Sequence, residues 1–153
     1  MGVRQSRDSG EVQRLALYER TFAVVERAIG SGLFDIVAHL DNLKVFGHRP
    51  QEEQLLPLYQ RMARALQNQG VATEINTGSY YRYPVKEMCP SYRFLQILRE
   101  HGVPITTSSD SHFPDHLGSY LVEARQLLRK AGYLEIATFE RRERRLVPLD
   151  DTE

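Results

Sequence analysis

The chain has 153 residues, of which 41% are hydrophobic and 26% charged, with 20 basic and 20 acidic side chains and one cysteine. This composition predicts one soluble domain and excludes a disordered chain or an internal disulfide framework. The balanced charge argues against nucleic acid as a partner. Apolar runs fall short of the roughly 18 residues that a membrane-spanning helix needs. We therefore expect a cytoplasmic protein without a membrane segment.

The first predicted element is a helix over residues 11–29. Its apolar side chains recur at spacings of three and four, which places them on one helical face. They are Val12, Leu15, Tyr18, Phe22, Val25 and Ile29. Glycines at 30 and 32 are typical of a helix end. The apolar run LFDIVAHL at 33–40 then predicts a short buried strand.

The same succession of helix, glycine and apolar strand occurs three more times. The helices lie between Pro50 and Gly70, Pro90 and Gly102, and His116 and Gly132, and the strands at 71–76, 103–109 and 133–139. This alternation predicts an α/β fold with a parallel sheet covered by helices, either an open doubly wound sheet or part of a barrel. The segment LVPL at 146–149 predicts one more short strand.

Polar side chains end three of the predicted strands. His39 ends the first strand, Glu74 and Asn76 end the second, and Asp110 and His112 follow the third in the stretch SSDSH. The carboxyl ends of parallel strands meet at one edge of a sheet. Imidazole and carboxylate are common ligands for zinc, manganese or iron. We therefore predict a metal site at this edge, with three unrelated polar strand ends as the alternative.

Two long loops at the same edge add cationic side chains that can bind a phosphate group. These are Lys44, His48, Arg49, Arg82 and Lys86, and for each of them a solvated loop charge is the alternative. The neighbouring tyrosines at 80, 81 and 83 favour packing on the rim over stacking on a substrate ring.

Four other features are interpreted as structural. Cys89 precedes a proline at a helix start and has no base nearby in sequence, so we assign it to the core. His101 lies beside a helix-ending glycine and is interpreted as a cap. His116 is expected at the surface, and the run RRERR at 141–145 is typical of a solvated face.

Three segments, taken in order, resemble the histidinol-phosphatase type of the PHP (polymerase and histidinol phosphatase) superfamily. They are FDIVAHLDNLKVFGHR, EINTGSYYRYPVKEMCPS and ITTSSDSH. The resemblance covers roughly residues 12–149 and implies the C-terminal part of a distorted seven-stranded β/α barrel. The H-x-H strand with which the family begins is absent here. The resemblance thus implies a single partial PHP domain over residues 1–153, as in a truncated product.

The activity implied by the resemblance is metal-dependent hydrolysis of a small phosphomonoester, namely L-histidinol phosphate in histidine biosynthesis. The family uses up to three divalent metal ions (manganese, zinc or iron), and fewer are expected here. By resemblance His39, Asp110 and His112 are metal ligands, Glu74 supports them, and Arg49 and Arg82 contact the substrate phosphate. Asp110, His112 and Glu74 are accordingly the expected catalytic residues.

A second hypothesis remains open beside the enzyme. The chain can instead be a non-catalytic α/β remnant of such a barrel that binds at most one metal ion weakly. In the enzyme reading, a homo-oligomer or a complementing N-terminal fragment is a further expected partner, because the chain encodes only about three of the family's ligands.

Overall fold

The computed structural model describes residues 2–149, with side chains from residue 9 onward. In chain order the helices and strands are α1 (Gly2–Gly30), β1 (Ile36–Val37), α2 (Glu52–Gln69), β2 (Ala72–Asn76), α3 (Gly78–Arg82), α4 (Tyr92–Glu100), β3 (Ile105–Ser108), α5 (Leu121–Lys130), β4 (Glu135–Glu140) and β5 (Glu143–Pro148). Two short 3₁₀ helices cover Asn42–Phe46 and Pro114–His116. The mixed α/β fold is thus confirmed. In this part of the chain, the helices are too short or too polar to cross a membrane.

Strands β1, β2 and β3 form one parallel sheet with β2 in the centre. In its register Val37 lies opposite Thr73, Glu74 opposite Thr106, and Asn76 opposite Ser108. All five residues of β2 are buried, as expected for a parallel strand covered on both faces. The parallel pairing is therefore confirmed for the first three predicted strands. The expected burial of the first strand was wrong, because β1 has only two residues and Leu33, Phe34 and Ile36 are exposed. Membership of a PHP barrel stays a prediction.

The fourth predicted strand does not extend this sheet, and that prediction was wrong. Instead β4 pairs antiparallel with β5, from Glu135 opposite Pro148 to Glu140 opposite Glu143. Arg141 and Arg142 form the turn with φ angles of 51° and 68°. Positive φ at both central residues suits a tight hairpin turn, which reverses the chain before a crossover helix can form. The run RRERR forms this turn and the first residues of β5. The last residues of β5 confirm the strand that was predicted at LVPL.

The larger core lies between α1, α2 and α4, and it is built from the predicted helical faces except for Val12, which is 66% exposed. Phe22, Tyr59 and Phe94 are almost fully buried. The ring centroids of Tyr59 and Phe94 lie 4.1 Å apart with an interplanar angle of 9°. A second core joins β2, β3 and α5 through Ile75, Ile105 and Leu128. These two cores fix the carboxyl edge of the sheet relative to the surrounding helices.

The predicted ends of the second and third helices with a following strand, α2 and α4, are also confirmed. Gly70 ends α2 with a φ of 64°, and its N–H group donates to the carbonyl oxygens of Leu66 and Gln67. This left-handed conformation costs glycine little, because glycine has no Cβ. At the end of α4 the ring Nδ1 of His101 lies 2.9 Å from the carbonyl oxygen of Ile97, as expected for a capping side chain.

Candidate functional site

His39 and Glu74 form the first pair of the site, at the carboxyl ends of β1 and β2. The Nδ1 atom of His39 lies 3.3 Å from Oε1 of Glu74, and the His39 backbone N–H group donates to the same oxygen over 3.3 Å. The φ of His39 is 57°, so the chain turns sharply where β1 ends. When Nδ1 carries the ring proton, it donates a hydrogen bond to the Glu74 carboxylate. The Nε2 atom then keeps its lone pair and is free to bind a ligand.

Asn76 links this pair to the next element. Its Nδ2 atom donates to Oε1 of Glu74 over 3.0 Å, and its Oδ1 atom accepts the N–H of Gly78 over 2.8 Å. The two bonds together fix the orientation of the amide. The sequence placed Asn76 at the edge of the sheet but gave it no role. Its position two residues after Glu74, hence on the same face of β2, is the signal that points to this contact.

Asp110, His112 and Arg82 form the second group. Arg82 Nη2 donates to Oδ2 of Asp110, while Arg82 Nη1 lies 2.6 Å from Nδ1 of His112. The two predicted ligands are themselves close, with 3.9 Å between His112 Nδ1 and Asp110 Oδ1. They do not meet through strand alternation, because β3 ends at Ser108 and Asp110 has a φ of 48°. A turn after the strand brings them together.

Gly78 lies between the two groups and leaves room for them. A Cβ atom at this position would lie 2.6 Å from Arg82 Nη2 and 2.9 Å from Cβ of Asp110. Below we call His39, Glu74 and Asn76 the His39 half of the site, and Arg82, Asp110 and His112 the Asp110 half. The N–H group of Gly78 donates to Asn76 of the His39 half. Because glycine has no side chain, Arg82 and Asp110 of the Asp110 half can lie against it.

The donor chemistry of both halves suits a divalent metal, but the number of ligands does not. Each half offers one imidazole and one carboxylate, which zinc, manganese and iron accept. Within residues 2–149, however, there is no group of three or more His, Cys, Asp or Glu side chains placed to hold a metal ion. The described residues therefore do not form a complete metal site by themselves, and His39, Asp110 and His112 stay predicted ligands.

Lys44 is not available to a phosphate, so that hypothesis was wrong. Its side chain is 1% exposed. The Nζ atom donates to Oδ2 of Asp41 over 3.1 Å and to the carbonyl oxygen of Met88 over 2.7 Å. Because a buried ammonium group needs a counter-charge, Asp41 holds Lys44 inside the protein.

Arg49 and Cys89 lie beside this buried pair. Arg49 Nη1 is 2.8 Å from Oε2 of Glu87, so its predicted phosphate contact has a competing partner in the structure. Cys89 is buried, in agreement with its structural assignment. Desolvation, with a smaller contribution from the charge of Asp41, raises the pKa of the Cys89 thiol from 9.0 to about 12. A thiol in this state is a poor nucleophile.

The tyrosines of the second loop pack against other aromatic side chains, Tyr80 and Tyr81 against Tyr120 and Tyr83 against Phe46. Tyr81 stacks on Tyr120 with 5.6 Å between ring centroids, and its hydroxyl donates to the carbonyl oxygen of Ser109. The Arg82 guanidinium lies 5.9 Å from the centroid of Tyr81 and 5.7 Å from that of Tyr83. His116, expected at the surface, is half-buried against Tyr81 with 5.3 Å between ring centroids.

Two curated proteins are similar to this chain in sequence. The probable histidinol-phosphatase of Deinococcus radiodurans is 36% identical over 117 residues, which cover 76% of this chain and 43% of that protein. This chain is therefore similar to a protein named as a probable histidinol-phosphatase. The probable histidinol-phosphatase of Schizosaccharomyces pombe is 29% identical over 112 residues, covering 69% of this chain and 36% of that protein.

The two similarities extend over only part of each relative. The chain spans less than half the length of the curated relatives that it matches. No family model matches the sequence. The alignment therefore shows which proteins this segment is similar to, and it does not transfer the activity of the whole relatives to this chain.

Proposed function

We propose that the chain provides part of a metal-dependent phosphomonoester hydrolase of the histidinol-phosphatase type. The expected reaction is hydrolysis of L-histidinol phosphate to L-histidinol and phosphate. The observation that carries the proposal is a histidine–carboxylate pair on each side of Gly78 at the carboxyl edge of the parallel sheet: Asn76 of the His39 half accepts the Gly78 N–H, and Arg82 and Asp110 lie against the glycine. The names of the two relatives support the choice of substrate.

In this proposal His39, Asp110 and His112 bind a divalent manganese, zinc or iron ion. Further ligands come from outside residues 2–149, because the described residues offer no group of three. A metal ion bound there would lower the pKa of a water molecule and so supply a nucleophile near neutral pH. Glu74 holds the His39 ring through Nδ1, and this leaves Nε2 for the metal.

Arg82 is the proposed phosphate-binding side chain. Its guanidinium contacts both Asp110 and His112, and it would exchange these contacts for a phosphate bound at the same residues, to which a planar donor can form two parallel hydrogen bonds. Such donors stabilise the negative charge on the phosphoryl oxygens during transfer. Arg49 is a secondary candidate, since it must first leave Glu87.

We also propose that the sheet belongs to a larger PHP barrel. In the described part of the chain β1 pairs with β2 alone, so its other edge has no hydrogen-bonded strand. Open strand edges tend to pair with another strand. A further segment or a second copy of the chain that pairs at β1 would bring additional side chains to the carboxyl edge.

The alternative is a non-catalytic α/β protein that binds a single metal ion weakly. It is favoured by the absence of a three-ligand group within residues 2–149. In this reading the His39 pair and the Asp110 group are remnants that stabilise the loops after the strands.

The experiment that separates these readings measures phosphate release from L-histidinol phosphate. The purified chain is assayed with manganese, zinc or iron, alone and together with the part of the D. radiodurans relative that lies outside the matched segment. We expect turnover in at least one of these mixtures. The Asp110→Asn and His112→Gln variants should lose it, while His101→Gln, a helix cap away from the site, should retain it.

Absence of turnover in every mixture, from a chain shown to be folded by circular dichroism, would contradict the enzyme and support the non-catalytic alternative. Turnover that survives both Asp110→Asn and His112→Gln would place the chemistry elsewhere.

A further inference from the structure

The β4–β5 hairpin contacts the amino ends of β1 and β2, at the edge of the sheet opposite the candidate site. Arg142 Nε and Nη2 donate to the two carboxylate oxygens of Asp35 over 2.8 and 3.2 Å. Arg144 Nη1 donates to the carbonyl oxygen of Gly70 over 2.7 Å. Asp35 directly precedes β1, and Gly70 lies two residues before β2. Below we call Arg142 and Arg144 the arginine clamp, because together they contact the amino ends of two neighbouring strands.

Both arginines of the clamp meet a negative group of the sheet edge. They line one cavity of about 280 Å³ between the hairpin and the sheet, together with Asp35 and Gly70. Helix α2 ends beside Gly70, and carbonyl oxygens at the end of a helix carry a partial negative charge. Asp35 carries a full negative charge, which a guanidinium can contact through two hydrogen bonds. The two contacts are therefore complementary in charge.

The backbone of the hairpin turn favours residues other than arginine. Arg141 and Arg142 have φ angles of 51° and 68°. This left-handed region favours glycine or asparagine, which are the usual residues of such a two-residue turn. Arginine at position 142 therefore costs conformational free energy within the hairpin. The contact with Asp35 offsets this cost, which indicates that Arg142 serves the sheet as well as the turn.

Strand β1 has few other contacts at its amino end. It has only two residues, and Ile36 is 36% exposed. Within the described part of the chain, β2 alone pairs with it. The N–H group of Ala72 donates to the carbonyl oxygen of Asp35 over 3.0 Å. Asp35 is thus held at two points, by β2 through its backbone and by Arg142 through its carboxylate.

Strand β1 leads directly to the His39 half of the candidate site. His39 follows Val37 by two residues, and its N–H group donates to Glu74 of β2 over 3.3 Å. A strand of two residues has no interior residue that could absorb a shift at its amino end. A movement of Asp35 away from β2 is therefore passed along β1 to His39.

We propose that the arginine clamp holds β1 against β2 and so positions the His39 half of the site from the opposite edge of the sheet. Arg142 and Arg144 are positioning residues, since they act through β1. The use of the positioned histidine as a metal ligand rests on the proposed function, whereas the clamp itself does not. The run RRERR thereby has a role in the parallel sheet that its position in a separate hairpin does not suggest.

Amide hydrogen exchange of the 153-residue chain, followed by NMR without metal or substrate, tests the clamp. The Ala72 N–H bonds to the segment before β1, whereas the adjacent Thr73 N–H donates to the carbonyl oxygen of Pro104, before β3. Opening of β1 exposes the first amide and leaves the second bonded, so Ala72 should exchange faster than Thr73 in the parent chain. Arg142→Gln should raise the exchange rates of the Ala72 and His39 amides about threefold and leave Thr73 within about 1.5-fold.

Three further variants separate the clamp from the folding of the hairpin. Arg142→Asn removes the guanidinium but suits the positive φ of the turn, and it should raise the exchange of Ala72 as Arg142→Gln does. Asp35→Asn combined with Arg142→Gln should raise it no further than Arg142→Gln alone, because the two groups act as one pair. Arg144→Gln, at the second contact of the clamp, should act in the same direction.

The matched control is Arg145→Gln in the same hairpin. Arg145 is exposed, and its partner Glu140 lies within the hairpin at 3.5 Å. This variant should leave the exchange rate of Ala72 within about 1.5-fold of the parent chain. The amide spectrum of each variant shows directly whether it is folded.

Unchanged exchange of Ala72 in both Arg142→Gln and Arg142→Asn would overturn the clamp. An equal rise at Thr73 would do so as well, because it reports general unfolding, and so would equal rates of Ala72 and Thr73 in the parent chain. A rise at Ala72 without one at His39 would contradict the positioning of the site. Phosphate release is measured separately, so a chain that never hydrolyses an ester contradicts the proposed function and leaves the clamp intact.

Discussion

The two halves of the candidate site contain the same functional groups in different surroundings. In the His39 half the Glu74 side chain is 9% exposed and lies on a central strand. In the Asp110 half the side chains of Asp110 and His112 are 25% and 59% exposed and lie in a loop. Neighbouring strands fix the His39 half. The side chains of the Asp110 half, by contrast, are held in place mainly by their contacts with one another. The comparison shows that the same ligand chemistry can be preorganised to different degrees within one site.

The His39 half is further anchored by the buried Asp41–Lys44 pair. Asp41 follows His39 by two residues, and its Oδ2 atom also accepts the backbone N–H of Ser91 over 2.8 Å. Lys44 reaches Met88, and the adjacent Cys89 pairs with Asn76 through two backbone hydrogen bonds of 2.7 and 3.1 Å. The loops on both sides of the His39 half are thereby tied together, and the Asp110 half has no comparable anchor among the described residues.

The largest effect is expected from Lys44→Met. The substitution keeps most of the side-chain volume but leaves the Asp41 carboxylate fully buried without its counter-charge. Such a change typically costs about 3–5 kcal/mol of the free energy of unfolding. Urea denaturation followed by circular dichroism measures it. The control is Arg61→Met, which breaks the more exposed ion pair with Glu26 and should cost about 0–1 kcal/mol. Similar losses in both variants would contradict the anchoring role.

A smaller effect is expected from Gly78→Ala, which acts on the Asp110 half. The new methyl group would lie 2.9 Å from Cβ of Asp110, so Arg82 and Asp110 must shift. Overpacking of this kind costs about 1–3 kcal/mol. Gly30→Ala is the matched control, because a Cβ there meets nothing within 4 Å. Thermal unfolding compares the two, and a Gly78→Ala variant as stable as Gly30→Ala would show that Arg82 and Asp110 are not packed this closely against Gly78.

The reactivity of the Cys89 thiol measures how well the segment paired with Asn76 of the His39 half excludes water. Because burial raises the pKa of the thiol to about 12, the folded protein should react with iodoacetamide at pH 8 far more slowly than the urea-unfolded chain. The raised pKa also makes the free energy of unfolding depend on pH. Its contribution to stability is fully present below the ordinary pKa of 9.0 and is lost as the pH rises towards 12. Rapid alkylation of the native protein would mean that this half opens readily.

The smallest effect is expected at the opposite edge of the sheet, where Arg142 pairs with Asp35. Both groups are exposed, and the hydrogen bonds from Arg142 hold the pKa of the Asp35 carboxyl below its ordinary value. Arg142→Gln should return this pKa towards the ordinary range, which carboxyl NMR titration detects. The contribution of the pair to stability is present above the unfolded-state pKa and is lost as the pH falls through the folded-state value. An unchanged titration would contradict the pairing.

The sequence by itself determined the periodic part of the fold and the location of the site. Apolar residues at spacings of three and four defined the helical faces that now form the larger core, and Gly70 ended its helix as expected. His39, Glu74, Asp110 and His112 were placed at the carboxyl edge because each ends or follows a predicted strand. These features depend on local spacing, which a sequence displays directly.

Only the tertiary structure decided which partners these residues take. Lys44 turned inward because a carboxylate three residues earlier lies buried at Asp41, and no local pattern distinguishes this from a solvated lysine. The strand at 135–140 left the parallel sheet because the next segment pairs with it across a tight turn. The contact of Arg82 with Asp110 depends on the close approach of both side chains to Gly78. The choice of partner for each of these residues and strands is not specified by local spacing, and for this reason it could not be predicted from the sequence.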